Sequence, residues 1–304
     1  MHFRHKLILS LACVLFTTSV CTGTSLYVLS SNLDTGNNQF GTIDLATGAF
    51  QQIGSDIEGS TGLAPGPNAS LLTLTFSGNL NSINSLNGIT TLVGSTGLGD
   101  CSLPTSPCGP TSANTIGALG ATIYAVDFAN SLYKVNPLTG VATLVGPTGI
   151  PAIPFIPLST NPDGTFNAYD EALVGANGNL YVTFDAFTVN PATFKVGTVL
   201  IPDNLYQIDP TTGIATVVGP TDLNLGAIAN ANGTLYAFNG GTNQVVTLDL
   251  TDGRTSPLTN FTSPGIIVGA APTPEPFSIA LAGIGISAIV VYRMRRRNKS
   301  LKRS

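Results

Sequence analysis

A five-residue unit, Asx followed by three residues and a glycine, recurs five times between residues 44 and 253. The copies are Asp44–Gly48, Asn84–Gly88, Asn136–Gly140, Asp209–Gly213 and Asp249–Gly253. Each has the chemistry of a tight connection. The Asx side chain accepts hydrogen bonds from the turn, proline where present presets φ, and glycine accepts positive φ. Short β-branched and aliphatic stretches flank every copy. Leu205–Ile208 and Ile214–Val218 enclose the fourth, and Leu132–Val135 and Val141–Val145 enclose the third. This is the pattern of a hairpin.

Two more strands belong to each unit. One lies upstream, as in Leu26–Leu29, Leu71–Leu74, Ile123–Val126, Leu180–Thr183 and Leu235–Phe238. A short, glycine-bearing strand precedes most of these, at Thr61–Ala64, Ile116–Leu119, Ala172–Val174 and Leu225–Ile228. Four strands at a spacing of roughly 40 residues predict an all-β fold, a β-propeller of five four-stranded blades. The first unit lacks its leading strand, and Gly265–Gly269 supplies one, so residues 265–271 are expected to complete the blade begun by residues 26–54. Closure of that kind leaves no free sheet edge between the chain ends. A second glycine follows six residues after the turn glycine in four copies, at Gly54, Gly94, Gly146 and Gly219, whereas Thr259 takes the fifth place. The turn glycines step by 40, 52, 73 and 40 residues. The excess marks insertions near Asp100–Ser112, Ile150–Ala168 and Asp185–Asp203, read as long loops on a rigid scaffold, where binding usually sits.

Charge separates this middle from the ends. Nine of the twelve lysines and arginines lie in the first six or last twelve residues, and residues 24–271 hold three cations against fifteen acids, a net of −12. Clustered cations for phosphate are missing, which excludes nucleic acid as a partner. Residues 1–23 read as a signal peptide: basic Arg4, His5 and Lys6, an apolar run from Leu7 to Phe16, then small and polar residues. Both histidines, His2 and His5, fall inside it, so the remaining chain has no histidine for triad, zinc or acid–base chemistry. At the other end, Pro274-Glu275-Pro276 precedes the apolar run 277–292, about 24 Å of helix at ~1.5 Å per residue. Arg293, Arg295, Arg296 and Arg297 follow as a stop-transfer cluster that keeps the tail cytoplasmic. A single transmembrane helix is therefore expected after the propeller, with domains at 1–23, 24–271 and 272–304.

The order Pro-Glu-Pro, apolar helix, basic cluster and chain end resembles the PEP-CTERM sorting signal of exported bacterial proteins. The likeness covers residues 273–304. It implies Sec-type export, then recognition of Pro274, Glu275 and Pro276 by an exosortase-like membrane protease and transfer to the cell surface or extracellular matrix. The blades, above all Leu205–Gly213 (Leu-Tyr-Gln-Ile-Asp-Pro-Thr-Thr-Gly), resemble the quinoprotein-like and YVTN-type repeats of exported propellers. That motif builds a hairpin and carries no chemistry of its own.

Site candidates are few. Cys101 and Cys108 share one proline-rich insertion, and in an exported protein they read as a disulfide stapling a short loop. Asn161, Asp163, Asn167, Asp170 and Glu171 form the densest run of side-chain oxygens. Of these, Asp163, Asp170 and Glu171 are the candidate ligands of a structural Ca2+, the one cofactor the composition suits. A glycosidase or lyase needs two facing carboxyl groups; Asp127, Asp170 and Asp185 border blade strands and would face the channel, and the exported region has only two glutamates, Glu58 and Glu171. The scarcity of His, Lys, Arg and Glu argues against catalysis. The expected role is a non-catalytic binding or scaffolding propeller at the surface, its abundant Thr and Asn suited to polysaccharide. A carboxylate-dependent enzyme acting on such a polymer is the alternative.

Overall fold

The computed structural model describes residues 24–31, 37–99, 113–151, 161–190, 196–221 and 225–273. The signal segment 1–23, the Cys101 and Cys108 insertion, the Pro274-Glu275-Pro276 motif, the apolar run 277–292 and the basic cluster Arg293–Arg297 lie outside them. Among the described residues no helix is long and apolar enough to cross a membrane.

Among the described residues twenty strands form five four-stranded antiparallel sheets. Blade 1 holds β1 (Ser25–Ser31), β2 (Asn38–Asp44), β3 (Phe50–Ile57) and, as its innermost strand, β20 (Ile266–Pro272). Blade 2 runs outward through β4 (Ser60–Pro65), β5 (Leu71–Thr75), β6 (Asn79–Ile83) and β7 (Thr90–Ser95). Blade 3 is β8 (Ala113–Leu119), β9 (Thr122–Asp127), β10 (Ser131–Val135) and β11 (Ala142–Pro147). Blade 4 is β12 (Phe166–Ala176), β13 (Asn179–Val189), β14 (Val196–Ile208) and β15 (Ala215–Pro220). Blade 5 is β16 (Leu225–Ala231), β17 (Thr234–Asn239), β18 (Gln244–Leu248) and β19 (Thr255–Asn260). The innermost strands β20, β4, β8, β12 and β16 touch in sequence around a ring, which makes the fold a five-bladed β-propeller. The ring closes where the sequence placed the closure: β20 pairs with β1 from Leu26↔Pro272 to Ser31↔Ile266. Thr273 Oγ1 adds a bond to the Ser25 carbonyl at 2.7 Å. All of this lies within one compact unit, Ser25–Pro274.

Apolar burial is organised between blades. Five clusters of buried side chains fill the five interfaces, for example Leu29, Phe40 and Ile57 of blade 1 against Leu63, Leu71 and Ile83 of blade 2. Another sets Leu173, Val182 and Phe184 of blade 4 against Tyr124, Val126 and Leu132 of blade 3. Strand alternation explains this: odd positions of β12 meet blade 3, while Ala172 and Val174 meet Ile228 and Ala237 of blade 5.

The repeated turns work as their residues require. Asp209 Oδ1 accepts the Thr211 amide at 2.8 Å and its hydroxyl at 2.6 Å, and the Gly213 amide returns to the Asp209 carbonyl at 2.8 Å. The second glycine series has an inter-blade reason. A Cβ on Gly140 would lie 2.6 Å from the Gly94 carbonyl oxygen, one on Gly213 2.8 Å from that of Gly146, and one on Gly253 2.7 Å from that of Gly219. Each turn glycine therefore packs backbone to backbone on the outer strand of the preceding blade. At the closing interface Gly48 meets Asn260, the residue after Thr259, and the Gly48 carbonyl accepts the Thr262 amide at 3.0 Å.

Blade 4 departs from its neighbours. Much of the sequence read as loop is strand: β12 and β13 pair from Phe166↔Val189 down to Ala176↔Asn179, and β14 follows from Val196. This three-stranded extension runs several residues past the level at which other blades turn.

Candidate functional site

The central cavity, about 160 Å3, is lined by innermost strands of all five blades, including Leu63, Gly117, Leu173, Ile228 and Ala270. Among the described residues that line it Asn230 brings the one polar side chain, and its Nδ2 is already bonded to the Gly175 carbonyl at 3.0 Å. Asp127, Asp170 and Asp185, expected at the channel, do not line this cavity. The acids gather instead at the seams between blade 4 and its neighbours.

Asp170 and Glu171 are consecutive on β12, so strand alternation sends them to opposite faces. Asp170 is paired across the sheet with Asp185, whose Oδ1 accepts the Asp170 amide at 3.0 Å. Burial, then the Asp185 charge, pushes the Asp170 carboxyl up to about 7. Glu171 faces blade 3, on the side of Tyr169 and Leu173. There Asn114 of β8 donates from Nδ2 to Glu171 Oε2. Glu171 is 8% exposed, and its Oε1 has no hydrogen-bond partner among the described residues. Burial lifts its carboxyl to about 8 against the Asn114 bond, and the nearby Asp127 charge adds to the rise.

Asp127 ends β9 and serves a turn. Its Oδ1 accepts the amides of Ala129 at 3.0 Å and Ser131 at 2.8 Å, and Oδ2 accepts the Tyr133 hydroxyl at 3.0 Å. Burial raises its carboxyl despite these bonds. Burial and the Asp127 charge push the Tyr133 phenol up to about 12. Two half-buried rings complete the seam: Phe128 lies 6.2 Å from Tyr169, and Tyr169 lies 6.0 Å from Phe184, centroid to centroid. Burial lifts Tyr169 to about 12, so its hydroxyl keeps its proton throughout the neutral range.

The three calcium candidates do not converge. Asp163 sits on an exposed turn, its Oδ1 accepting the Thr165 amide at 3.0 Å and hydroxyl at 2.7 Å. Asp170 and Glu171 occupy opposite faces of one sheet. Among the described residues no three His, Cys, Asp or Glu side chains come together as a metal-binding group. The sequence read Asp170 and Glu171 as loop because it began the strand at Ala172; with the strand begun at Phe166, period two separates them. Asn114, Phe128 and Tyr169 were not singled out from sequence: only the packing of blade 4 on blade 3 brings Asn114 to Glu171 and Phe128 to Tyr169, and only the strand period sets Tyr169 on the Glu171 face.

No family model matches this sequence, and no curated protein is similar to it. Among solved structures, a nidogen–laminin complex is similar at 14% identity over 82% of this chain and 97% of that chain, with a TM-score of 0.45. A structural-genomics protein of unknown function from Bacteroides thetaiotaomicron is similar at 15% identity over 80% and 64%, with a TM-score of 0.47. The PQQ-bound aldose sugar dehydrogenase of Streptomyces coelicolor is similar at 14% identity over 73% and 87%, with a TM-score of 0.42. The propeller assignment rests on the strand order of this chain itself.

Proposed function

We propose that this chain is an exported protein whose propeller binds polysaccharide at the cell surface or in the extracellular matrix without altering it. One observation carries the reading: at the seam between blades 3 and 4 the half-buried rings of Phe128 and Tyr169 lie 6.2 Å apart, and Tyr169 shares its face of β12 with Glu171, whose carboxyl accepts from the Asn114 amide. Rings offer apolar faces to sugar C–H groups, and carboxyl and amide groups bond hydroxyls. The net charge of −12 over residues 24–271 and the lack of a cationic cluster within them favour an uncharged polymer over nucleic acid. The blade 4 extension stands beside this seam as a lengthened wall.

Residues 24–273 are expected to be retarded in native gels containing a neutral glucan, measured against gels without polymer. Tyr169→Ala is expected to weaken retardation about tenfold while thermal unfolding still shows one cooperative transition. Unchanged retardation in that variant would move the site elsewhere, and sugar release lost in Asp127→Asn would replace binding with catalysis. In this reading Sec-type machinery exports the chain, and an exosortase-like protease acts at Pro274-Glu275-Pro276. The extracellular product should then lack residues 1–23 and the tail beyond Pro276 by intact mass; a product retaining Arg295–Arg297 would contradict the processing.

A further inference from the structure

Glu171 occupies a place where the repeat does not need an acid. The equivalent level of each innermost strand is defined by its cross-strand partner, the fifth residue of the second-strand motif that opens at Leu26, Leu71, Ile123, Leu180 and Leu235. Glu171 pairs there with Phe184, Ser60 with Thr75, Ala113 with Asp127, Leu225 with Asn239 and Ile267 with Ser30. The other four blades place Ser, Ala, Leu and Ile at this level; only blade 4 places a carboxyl there. Asp127, by contrast, is accounted for by the turn it caps, as Thr75 and Asn239 cap theirs through the Asn79 and Thr242 amides.

A buried carboxyl with an unused oxygen carries a substantial desolvation cost unless something meets it. Asn114 satisfies only Oε2, and an amide donor there leaves Oε1 as the atom that bears the acid proton. We propose that Glu171, held as a neutral carboxylic acid, donates a hydrogen bond from Oε1 to a hydroxyl or ether oxygen of an uncharged sugar bound at the seam between blades 3 and 4. This rests on the polysaccharide reading above and names the sugar class it takes. Oε1 is covered from solvent in the free protein, so a sugar oxygen meets it only where the half-buried rings of Phe128 and Tyr169 part.

The groups facing Glu171 agree with a neutral acid. From β9 comes the carboxylate of Asp127, and from β10 the Tyr133 phenol bonded to it. Tyr169 shares the face on β12, and β8 contributes only the uncharged Asn114. Asp170 and Asp185 lie on the other face of blade 4. The nearest cation on these elements, Lys134 of β10, is exposed and sits over the Tyr124 ring at 6.0 Å. Nothing here favours an ionised Glu171, and burial lifts its carboxyl to about 8. A carboxylated sugar would bring a second negative charge against Asp127, so uronate polymers are disfavoured.

The test measures affinity of residues 24–273 for a neutral glucan oligosaccharide and a uronate oligosaccharide at pH 6.5 and 9.5, by calorimetry. Wild type is expected to bind the neutral sugar at least tenfold more weakly at pH 9.5, where Glu171 is ionised while Tyr133 and Tyr169 are not. Glu171→Gln, which keeps a donor and no charge, should bind within about threefold of wild type at pH 6.5 and lose the pH dependence. Glu171→Leu should lose at least tenfold at pH 6.5 with its fold intact by circular dichroism. Neutral-sugar binding by wild type that is the same in Glu171→Leu, or a pH dependence that survives in Glu171→Gln, would overturn this role while leaving the polysaccharide reading standing. A preference for the uronate would overturn the sugar class. Wild type binding neither sugar at either pH would overturn the polysaccharide reading and this inference with it.

Discussion

Gly140→Ala is expected to destabilise the propeller by about 3 kcal/mol or more. Gly140 has φ +82, and a Cβ there would stand 2.6 Å from the Gly94 carbonyl oxygen and 2.7 Å from its carbon, backbone atoms that no rotamer can move. Left-handed backbone costs an L-residue roughly 1–2 kcal/mol, and forced overpacking adds about 1–3 kcal/mol. Gly120→Ala separates the two effects. Its φ is +60, but a Cβ there meets nothing within 4 Å, so it should lose only about 1–2 kcal/mol. Urea midpoints of the two variants make the comparison; equal losses would mean that the glycine seam is not a close contact between blades. Gly213→Ala and Gly253→Ala should resemble Gly140→Ala, because each turn glycine is set against the preceding blade in the same way.

The second large effect is a fall in stability as pH rises through the neutral range. Glu171 is raised from 4.5 to about 8 in the folded chain, so between those values the folded state binds more protons than the unfolded state. Stability then declines with rising pH across that window and levels off above about 8. A displacement of that size corresponds to on the order of 5 kcal/mol at about 1.4 kcal/mol per pH unit. Asp170, raised from 3.8 to about 7 but partly open to solvent, adds a smaller decline with the same sign. The exposed turn carboxylates behave oppositely. Hydrogen bonds from Thr47, Thr211 and Thr251 hold Asp44, Asp209 and Asp249 below the ordinary value, so their contribution is lost as pH falls below about 4. The melting temperature should therefore peak near pH 4–5. Glu171→Gln should raise it at pH 8.5 and flatten its neutral slope. A wild-type profile that rises from pH 5 to 8 would contradict the burial of a proton at Glu171.

What the sequence made legible follows from how local each cause is. The Asx-x-x-x-Gly turns are built from hydrogen bonds spanning a few residues, so five blades and their order could be read directly. The closure by residues 265–271 was legible for a different reason: one unit lacked a strand and one spare strand remained. Gly54, Gly94, Gly146 and Gly219 were visible as a series, yet their reason lies in the turn of the following blade. The blade 4 extension was misread because its strands are stabilised by pairing Phe166 with Val189 across twenty-three positions. Misreading it placed Asp170 and Glu171 in a loop, and a loop imposes no alternation. The site inherited that error. Its acids were noticed, but their separation and the partners on β8 and β9 depend on strand period and blade packing.

The join between β1 and β20 also fixes an order of events in time. Ser25 and Thr273, bonded to each other, are 248 positions apart. Blade 1 is the first to be synthesised and the last to acquire its innermost strand. Until residue 272 has been added, the β1 edge is open and could recruit a strand from another chain. Contacts of such separation also form slowly. Finishing the chain and finishing the ring are then a single event, decided by the seven residues of β20.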